Sequence, residues 1–295
     1  MLLSQDFFSR GELRGPGAFN TLSSLPARVP NTLVFAETPH YLAMALSDPF
    51  ASVVITSSVA LSGISISVDK PVVVADAPRQ AFWRLHNRLV DAGLLGVRVE
   101  RHIGINCVIH PTATLAHNVH INDNVKIGPH AVIEAGTIIG ADTEIGPGVV
   151  IGAEGMQVFL AGEEKLFVRH AGGVRLGGNV HVLANAVISK AVDETYTSVG
   201  DETVISLLTS VGHNSLIGRR CGIAGHVLIG GSVKIGDEAW IGPSVAIKDS
   251  VTVGARARVL LGSVVIRDVA DGAEVSGNFA LSHARNMLNY AKAQR

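Results

Sequence analysis

A histidine and a glycine stand eighteen residues apart in the second half of the sequence, at His213 and Gly231. An imidazole can take a proton from an attacking amine or hydroxyl, and a glycine amide presents an N–H group that no side chain obstructs. If the two residues are neighbours in space, they offer a general base beside a donor for an oxyanion. Acyl transfer needs this combination.

The two residues lie within a sixfold repeat. Aliphatic residues recur at every sixth position over residues 103–151, 176–188 and 199–265, and a small or slender residue follows four positions after each one in the first run. A helix repeats near 3.6 residues and an exposed strand every two, so a period of six indicates hexapeptide β-helix repeats. We predict a mainly β fold with about eight coils of three hexads each.

The repeat places residues that are one coil apart on top of each other. Eighteen residues make one coil, so Gly231 should stack next to His213 at the strand spacing of about 4.8 Å, provided that the register does not slip. We therefore predict His213 as the general base and Gly231 as the oxyanion donor.

Composition agrees with a narrow aliphatic prism, since hydrophobic residues make up 47% of the chain and aromatic residues only 5%. The formal net charge of −1, without a basic stripe, argues against a nucleic-acid ligand. Cys107 and Cys221 fall on inward positions, which predicts core packing rather than a disulfide. The N-terminus has no long apolar run, so we expect neither a signal peptide nor a membrane span, and a cytoplasmic protein.

Twelve histidines raise the question of a metal site. Hexapeptide carbonic anhydrases, whose coils these resemble, bind zinc through a histidine pair five residues apart and a third histidine from a neighbouring coil. The residues five positions after His213 and His226 are both glycine, and the earlier coil histidines lack the spacing too. We expect no metal and no tightly bound cofactor.

Three regions differ in pattern. Residues 1–100 show no sixfold repeat and predict a small α/β domain, with strands near 31–35, 52–55 and 71–74 and helices near 39–47 and 79–92. Residues 101–266 form the coils, which insertions at 155–173 and 193–198 interrupt; loops added to a solenoid often serve binding. Residues 267–295 predict a cap and a short helix from residue 279, with Leu281, Ala284, Met287 and Leu288 on its apolar side.

The segment VGHNSLIG at 211–218, with IAG at 223–225 and IGGS at 229–232, resembles the catalytic stretch of UDP-3-O-(3-hydroxyacyl)glucosamine N-acyltransferases. The segments NTLVF at 31–35 and KPVVV at 70–74 are also similar to that family, so the resemblance covers most of the chain. It implies a left-handed parallel β-helix, a uridine-binding N-terminal domain and a homotrimer with sites between subunits. By the same resemblance, Phe35 and Tyr41 would hold uracil, His213 would be the base and Gly231 the oxyanion donor.

The sequence differs from that family at positions that lie, by the resemblance, on the sugar side or the acyl-donor side of the site. Thr38 stands where the family has an asparagine, Ser206 where it has an aspartate and Ser250 where it has a second histidine, and the C-terminal tail is short. We predict that Thr38 and Asn214 bind substrate. Because the position one coil before His213 is residue 195, we predict that Asp193 or Glu194 replaces the missing aspartate and orients the imidazole.

These observations predict an N-acyltransferase that moves an acyl group from coenzyme A or acyl carrier protein to the amine of a UDP-linked amino sugar, in bacterial lipopolysaccharide or surface-polysaccharide synthesis. Three alternatives stay open. The chain could be the lipid A enzyme itself, a sugar acetyltransferase that uses acetyl-coenzyme A, or a non-catalytic scaffold that binds a nucleotide sugar. The sugar, the acyl length and the donor are not fixed by the sequence.

Overall fold

The computed structural model describes residues 1–9, 12–27, 29–64, 69–161, 164–277 and 282–293. They form two compact units. The first, called here the N-terminal unit, contains Met1–Val97, Glu154–Gly172 and Ala191–Thr195. The second, called the coil unit, contains Arg98–Ala153, Gly173–Lys190 and Tyr196–Arg295.

In its described residues, the N-terminal unit has a five-stranded sheet and three α-helices. The predicted strands and the two predicted helices are confirmed within one or two residues, whereas the short helix α2 was not predicted. The helices are α1 (Pro39–Ser47), α2 (Ser58–Ser62) and α3 (Pro78–Asp91). The sheet order is Leu13–Arg14, Val72–Val74, Ala51–Thr56, Thr32–Ala36 and Thr21–Leu22; Leu2–Leu3 pairs with Ala18–Phe19, and Ser4–Asp6 is a 3-10 turn.

Both insertions contribute to the N-terminal unit. The first forms a hairpin of Val158–Ala161 and Glu164–Phe167. The ring of Phe159 in this hairpin stacks on Trp83 of α3, with centroids 5.8 Å apart, and the Arg79 guanidinium lies 5.9 Å from the Phe159 centroid. Aromatic and cation–π contacts of this kind attach the first insertion to α3.

The coil unit has three parallel faces, which we number in chain order. Face 1 contains eight described strands: His102–Ile103, His120–Ile121, Thr137–Ile139, Gly173–Leu176, Tyr196–Val199, Leu216–Ile217, Lys234–Ile235 and Thr252–Val253. Face 2 contains nine: Val108–Ile109, Lys126–Ile127, Glu144–Ile145, His181–Val182, Val204–Ile205, Gly222–Ile223, Trp240–Ile241, Arg258–Val259 and Glu274–Val275. Face 3 contains eight: Thr114–Leu115, Val132–Ile133, Val150–Ala153, Val187–Ser189, Ser210–Val211, Leu228–Ile229, Ala246–Ile247 and Val264–Val265.

The predicted fold class, a left-handed parallel β-helix, is confirmed. Between the insertions and the last coil, residues eighteen apart are paired, for example Val211 with Ile229 and Ile217 with Ile235. The inward aliphatic residues form one continuous buried ladder, so each coil is stabilised by the coils above and below it. The first coil lacks a neighbour on one side, and its Ile103 is therefore 42% exposed.

The two cysteines show the same end effect. Cys221 is buried, as the repeat predicts, and its burial raises the pKa of its thiol. Cys107, in the first coil, is only half-buried. The prediction of core packing is therefore confirmed for Cys221, whereas Cys107 is only partly packed in the core.

Many glycines of the coil unit are required by close packing between coils and not by a positive φ. The left-handed corner position, three residues after the inward aliphatic residue, is usually not glycine; it holds residues such as Asn124 and Asn214, with φ of 60° and 59°. Many glycines instead follow the inward residue directly, where the next coil approaches closely. A Cβ on Gly218 would lie 2.7 Å from the Asp237 backbone nitrogen, so the space, and not a positive φ, demands glycine there.

The ends of the insertions also differ from the prediction. Residues 173 and 196–198, predicted as insertion, belong to the face 1 strands Gly173–Leu176 and Tyr196–Val199. The repeat also continues beyond residue 266, because Glu274–Val275 pairs with Arg258–Val259 after a step of sixteen residues.

The last helix, α4, spans His283–Ala293. Residues 278–281, 294 and 295, including Leu281 of its predicted apolar side, lie outside the described residues, as does the side chain of Leu288. Among the described helices, none is both long and apolar enough to cross a bilayer.

Candidate active site

His213 lies at the corner between face 3 and face 1, in residues 212–215, which we call the His213 corner. The strands Ser210–Val211 and Leu216–Ile217 flank it. Asn214 makes the turn with a φ of 59°, and its backbone N–H donates to Thr197 Oγ1 at 2.8 Å. Ser215 is fully buried and donates to the Gly230 carbonyl at 2.9 Å. The corner is thus fixed to the coils on both sides.

The imidazole of His213 lies over Gly231. A Cβ built on Gly231 would come within 2.6 Å of His213 Nε2 and 2.7 Å of Cε1. The Ser232 N–H donates to the His213 carbonyl at 2.7 Å, which keeps the two coils in register at this corner. The predicted stacking of His213 and Gly231 is therefore present, and no other residue type fits at position 231 without displacing the ring.

The contact with Asn214 favours one tautomer of the imidazole. His213 Nδ1 lies 3.0 Å from Asn214 Oδ1. An amide oxygen only accepts hydrogen bonds, so the proton of the neutral ring is on Nδ1 and the lone pair is on Nε2. The nitrogen that can act as a base is the one that lies over Gly231.

The backbone N–H of Gly231 has no acceptor within the described part of the chain. At four corners that follow face 1 strands, the amide at the same hexad position is capped by an aspartate from the next coil. Arg219 N donates to Asp237 Oδ1 at 2.8 Å, and the same cap joins Ile105 to Asp123, Gly178 to Asp201 and Ala255 to Asp271. Asp249 stands one coil after Gly231 but makes no such bond. The amide is thus available to an oxyanion.

Thr197 is part of this site and was not predicted from the sequence. Its side-chain oxygen accepts the Asn214 amide, and the residue itself is fully buried. The signal for it was present, because a threonine on an inward position can accept a hydrogen bond from the next coil. Thr203 does so for the Cys221 amide at 3.0 Å.

The residues predicted to bind uridine lie in the N-terminal unit. Phe35 is half-buried and packs on Phe82 with centroids 4.9 Å apart, while Tyr41 is 52% exposed and meets the His40 ring. Thr38 caps the N-terminus of α1, where its Oγ1 accepts from the Tyr41 amide at 3.4 Å. Phe35 and Tyr41 thus make their ring contacts with different neighbours, and Thr38 has a structural role of its own.

The two predicted orienting carboxylates also belong to the N-terminal unit. Asp193 accepts from Thr195 Oγ1 at 2.6 Å, and Glu194 accepts from the Gly96 amide at 2.8 Å. Their charges also act on His86, a buried histidine of α3 whose Nε2 lies 2.8 Å from the Arg169 carbonyl oxygen. Desolvation, which outweighs that hydrogen bond and those charges, lowers the pKa of His86. An action of Asp193 or Glu194 on His213 remains a prediction.

No three histidine, cysteine or acidic side chains in the described residues converge in a way that could hold a metal ion.

The comparison with protein-family models agrees with the coil architecture. The family model for bacterial transferase hexapeptide repeats matches residues 102–135 and 123–153. A UDP-N-acetylglucosamine acyltransferase from Campylobacter jejuni is 21% identical, with 58% of this chain and 71% of that chain covered and a TM-score of 0.48. Another from Bacteroides fragilis is 27% identical, with 57% and 68% covered and a TM-score of 0.45. No curated protein sequence matches this chain.

Proposed function

We propose that the protein is an N-acyltransferase that moves an acyl group from a thioester, acyl-coenzyme A or acyl carrier protein, to the amine of a UDP-linked amino sugar. The observation that carries the proposal is His213 Nε2 above Gly231, whose N–H has no acceptor in the described residues. The sequence resemblance at residues 211–218 and 229–232 and the acyltransferases among the structures similar in fold point in the same direction.

The proposed reaction starts with the amine of the sugar attacking the thioester carbonyl carbon while His213 Nε2 takes a proton from nitrogen. The carbonyl oxygen becomes an oxyanion and accepts the Gly231 N–H. When the tetrahedral intermediate collapses, the C–S bond breaks, and the thiolate leaves with the proton from the imidazolium. Asn214 Oδ1 accepts from Nδ1 throughout, so it favours the tautomer that begins the cycle and stabilises the imidazolium.

A homotrimer belongs to the proposal. The outward positions of face 3 include Val132, Val150, Val187, Leu228 and Val264, of which Leu228 is 55% exposed and Val264 60%. An outward row of apolar side chains of this kind is typical of a protein–protein contact. A solution mass of three chains would support the trimer, and a stable monomer at micromolar concentration would contradict it.

Thiol release tests the proposed reaction. The purified protein is assayed with acetyl-coenzyme A and with a 3-hydroxyacyl carrier protein, each in turn with UDP- and dTDP-linked amino sugars. We expect release that requires an amino sugar and falls by at least about a hundredfold in His213→Ala. Release that does not need the sugar, or that survives in the variant, would contradict the mechanism. Nucleotide binding without release from any pair would indicate the non-catalytic scaffold.

A further inference from the structure

Face 1 of the coil unit carries cations without acidic partners. Its outward positions from Gly173–Leu176 to Thr252–Val253 are Arg175, Ser198, Leu216, Lys234 and Thr252, and none of them is a carboxylate. Neither Arg175 nor Lys234 makes an ion pair within the described part of the chain. Face 1 therefore has an uncompensated positive charge.

Face 2 of the same unit shows the opposite arrangement. Lys126 pairs with Glu144 of the next coil at 2.6 Å, and Arg258 pairs with Glu274 at 3.4 Å. The repeat thus readily places a carboxylate opposite a cation on adjacent coils. On face 1, the residues that pair with Arg175 and Lys234 are Ile138, Ser198, Leu216 and Thr252, and none of these can neutralise them.

Arg175 is held in place without losing its charge. Its guanidinium lies 4.6 Å from the ring centroid of Tyr196, which belongs to the next strand of face 1 in the direction of Lys234. A cation–π contact orients a guanidinium and leaves its N–H groups able to bind an anion. Glycine at 173 makes room for this ring, because a Cβ there would lie 2.9 Å from Tyr196 Cε1.

The two cations flank the strand that follows the catalytic histidine. Leu216 comes three residues after His213, and Lys234 comes three residues after Gly231. Arg175 and Lys234 are three strand steps apart on face 1, or about 14 Å along the sheet. Extended arginine and lysine side chains can therefore both reach an anion that lies over Ser198 and Leu216, beside the His213 corner.

We propose that Arg175 and Lys234 form a phosphate-binding site that serves the His213 corner. The anion is a phosphate or diphosphate ester, and the choice of source rests on the proposed function. It is either the diphosphate of the nucleotide-linked acceptor or the phosphate groups of the coenzyme A or phosphopantetheine donor. Arginine and lysine are the side chains suited to such groups.

Calorimetric binding of UDP, coenzyme A and inorganic pyrophosphate tests the site without turnover. The variants are Arg175→Gln and Lys234→Gln, and the matched controls are Arg258→Gln and Lys126→Gln on face 2. We expect each face 1 variant to weaken binding of at least one probe about tenfold, since a bond to a charged group is lost. The controls should change binding less than about twofold. The affected probe, UDP or coenzyme A, identifies the source.

Equal effects of the two pairs of variants, no effect of either, or no binding of any probe by the wild type would overturn the site. Unfolding temperatures equal to that of the wild type exclude misfolding as the cause of lost binding. The outcome is separable from the catalytic proposal. Turnover that requires His213 but has unchanged KM values in Arg175→Gln and Lys234→Gln contradicts the phosphate site alone. Probe binding that depends on Arg175 and Lys234 without thiol release contradicts the reaction alone.

Discussion

Gly222 and Gly231 of the coil unit each lie against an aromatic ring from a neighbouring coil, and of these two only Gly231 belongs to the candidate active site. A Cβ on Gly222 would come within 2.5 Å of Trp240 Cε3, and a Cβ on Gly231 within 2.6 Å of His213 Nε2. Gly222 lies in a strand, where its N–H donates to the Ala239 carbonyl at 3.0 Å. Gly231 lies at a corner, and its N–H has no acceptor in the described chain.

The comparison shows that a ring stacked on a glycine does not by itself make a catalytic site. The repeat alone places a ring over a bare glycine in both pairs, since each pair is one coil apart. An oxyanion also needs a donor that the backbone ladder does not use, and within this fold a corner provides it. The ring differs as well, because Asn214 fixes the tautomer of His213, whereas Trp240 has no basic nitrogen.

Alanine at each glycine tests this comparison most strongly. In Gly231→Ala the new methyl group displaces the imidazole, so base and oxyanion donor are both disturbed. We expect kcat/KM for thiol release to fall by about 10²–10³-fold. Gly222→Ala displaces Trp240 on face 2 and should leave kcat/KM within about twofold of the wild type.

Thermal unfolding supplies the control for these two variants. Both substitutions force a ring to move, so both should lower the unfolding temperature by similar amounts. Equal losses of activity would mean that Gly231 matters only through the stability of the coils, and the catalytic comparison would then be wrong.

A substitution of Asn214 distinguishes two roles proposed for this residue. The sequence predicts that it binds substrate, whereas its contact with Nδ1 indicates that it positions His213. Under the positioning role, Asn214→Ala should lower kcat by roughly ten- to a hundredfold with little change in KM, because the lost bond is to a group that becomes charged. Asn214→Asp should restore much of the rate, since a carboxylate also accepts from Nδ1. A raised KM with unchanged kcat would support the substrate-binding role instead.

The sequence was sufficient for those parts of the site that follow from the period. An uninterrupted step of eighteen residues between Val211 and Ile229 fixes Gly231 beneath His213, and the inward ladder follows from the same count. The period could not show that Asp249 leaves the Gly231 amide uncapped while Asp237 caps Arg219, since both aspartates occupy the same hexad position. That difference depends on side-chain conformation.

The packing of the two insertions could not be predicted from the sequence either. A repeat count detects that residues are added but not which neighbours they pack against, because those contacts are non-local. Phe159 and Trp83 lie far apart in sequence, and no period relates them, yet their rings stack in the N-terminal unit. The same reason explains why the sequence did not indicate that Glu194 bonds to the Gly96 amide.

The smallest expected effect concerns the two aspartates. Asp237→Ala removes the cap on the Arg219 amide and should lower the free energy of unfolding by about 1 kcal/mol in urea. Asp249→Ala removes no backbone cap in the described structure and should change it by less than about 0.5 kcal/mol. Turnover provides a second measurement, because an Asp249 that capped Gly231 in solution would compete with the oxyanion. An increase in kcat in Asp249→Ala would show that Asp249 caps the Gly231 amide part of the time, which contradicts the uncapped corner. An unchanged kcat would support the difference between the capped Arg219 amide and the uncapped Gly231 amide.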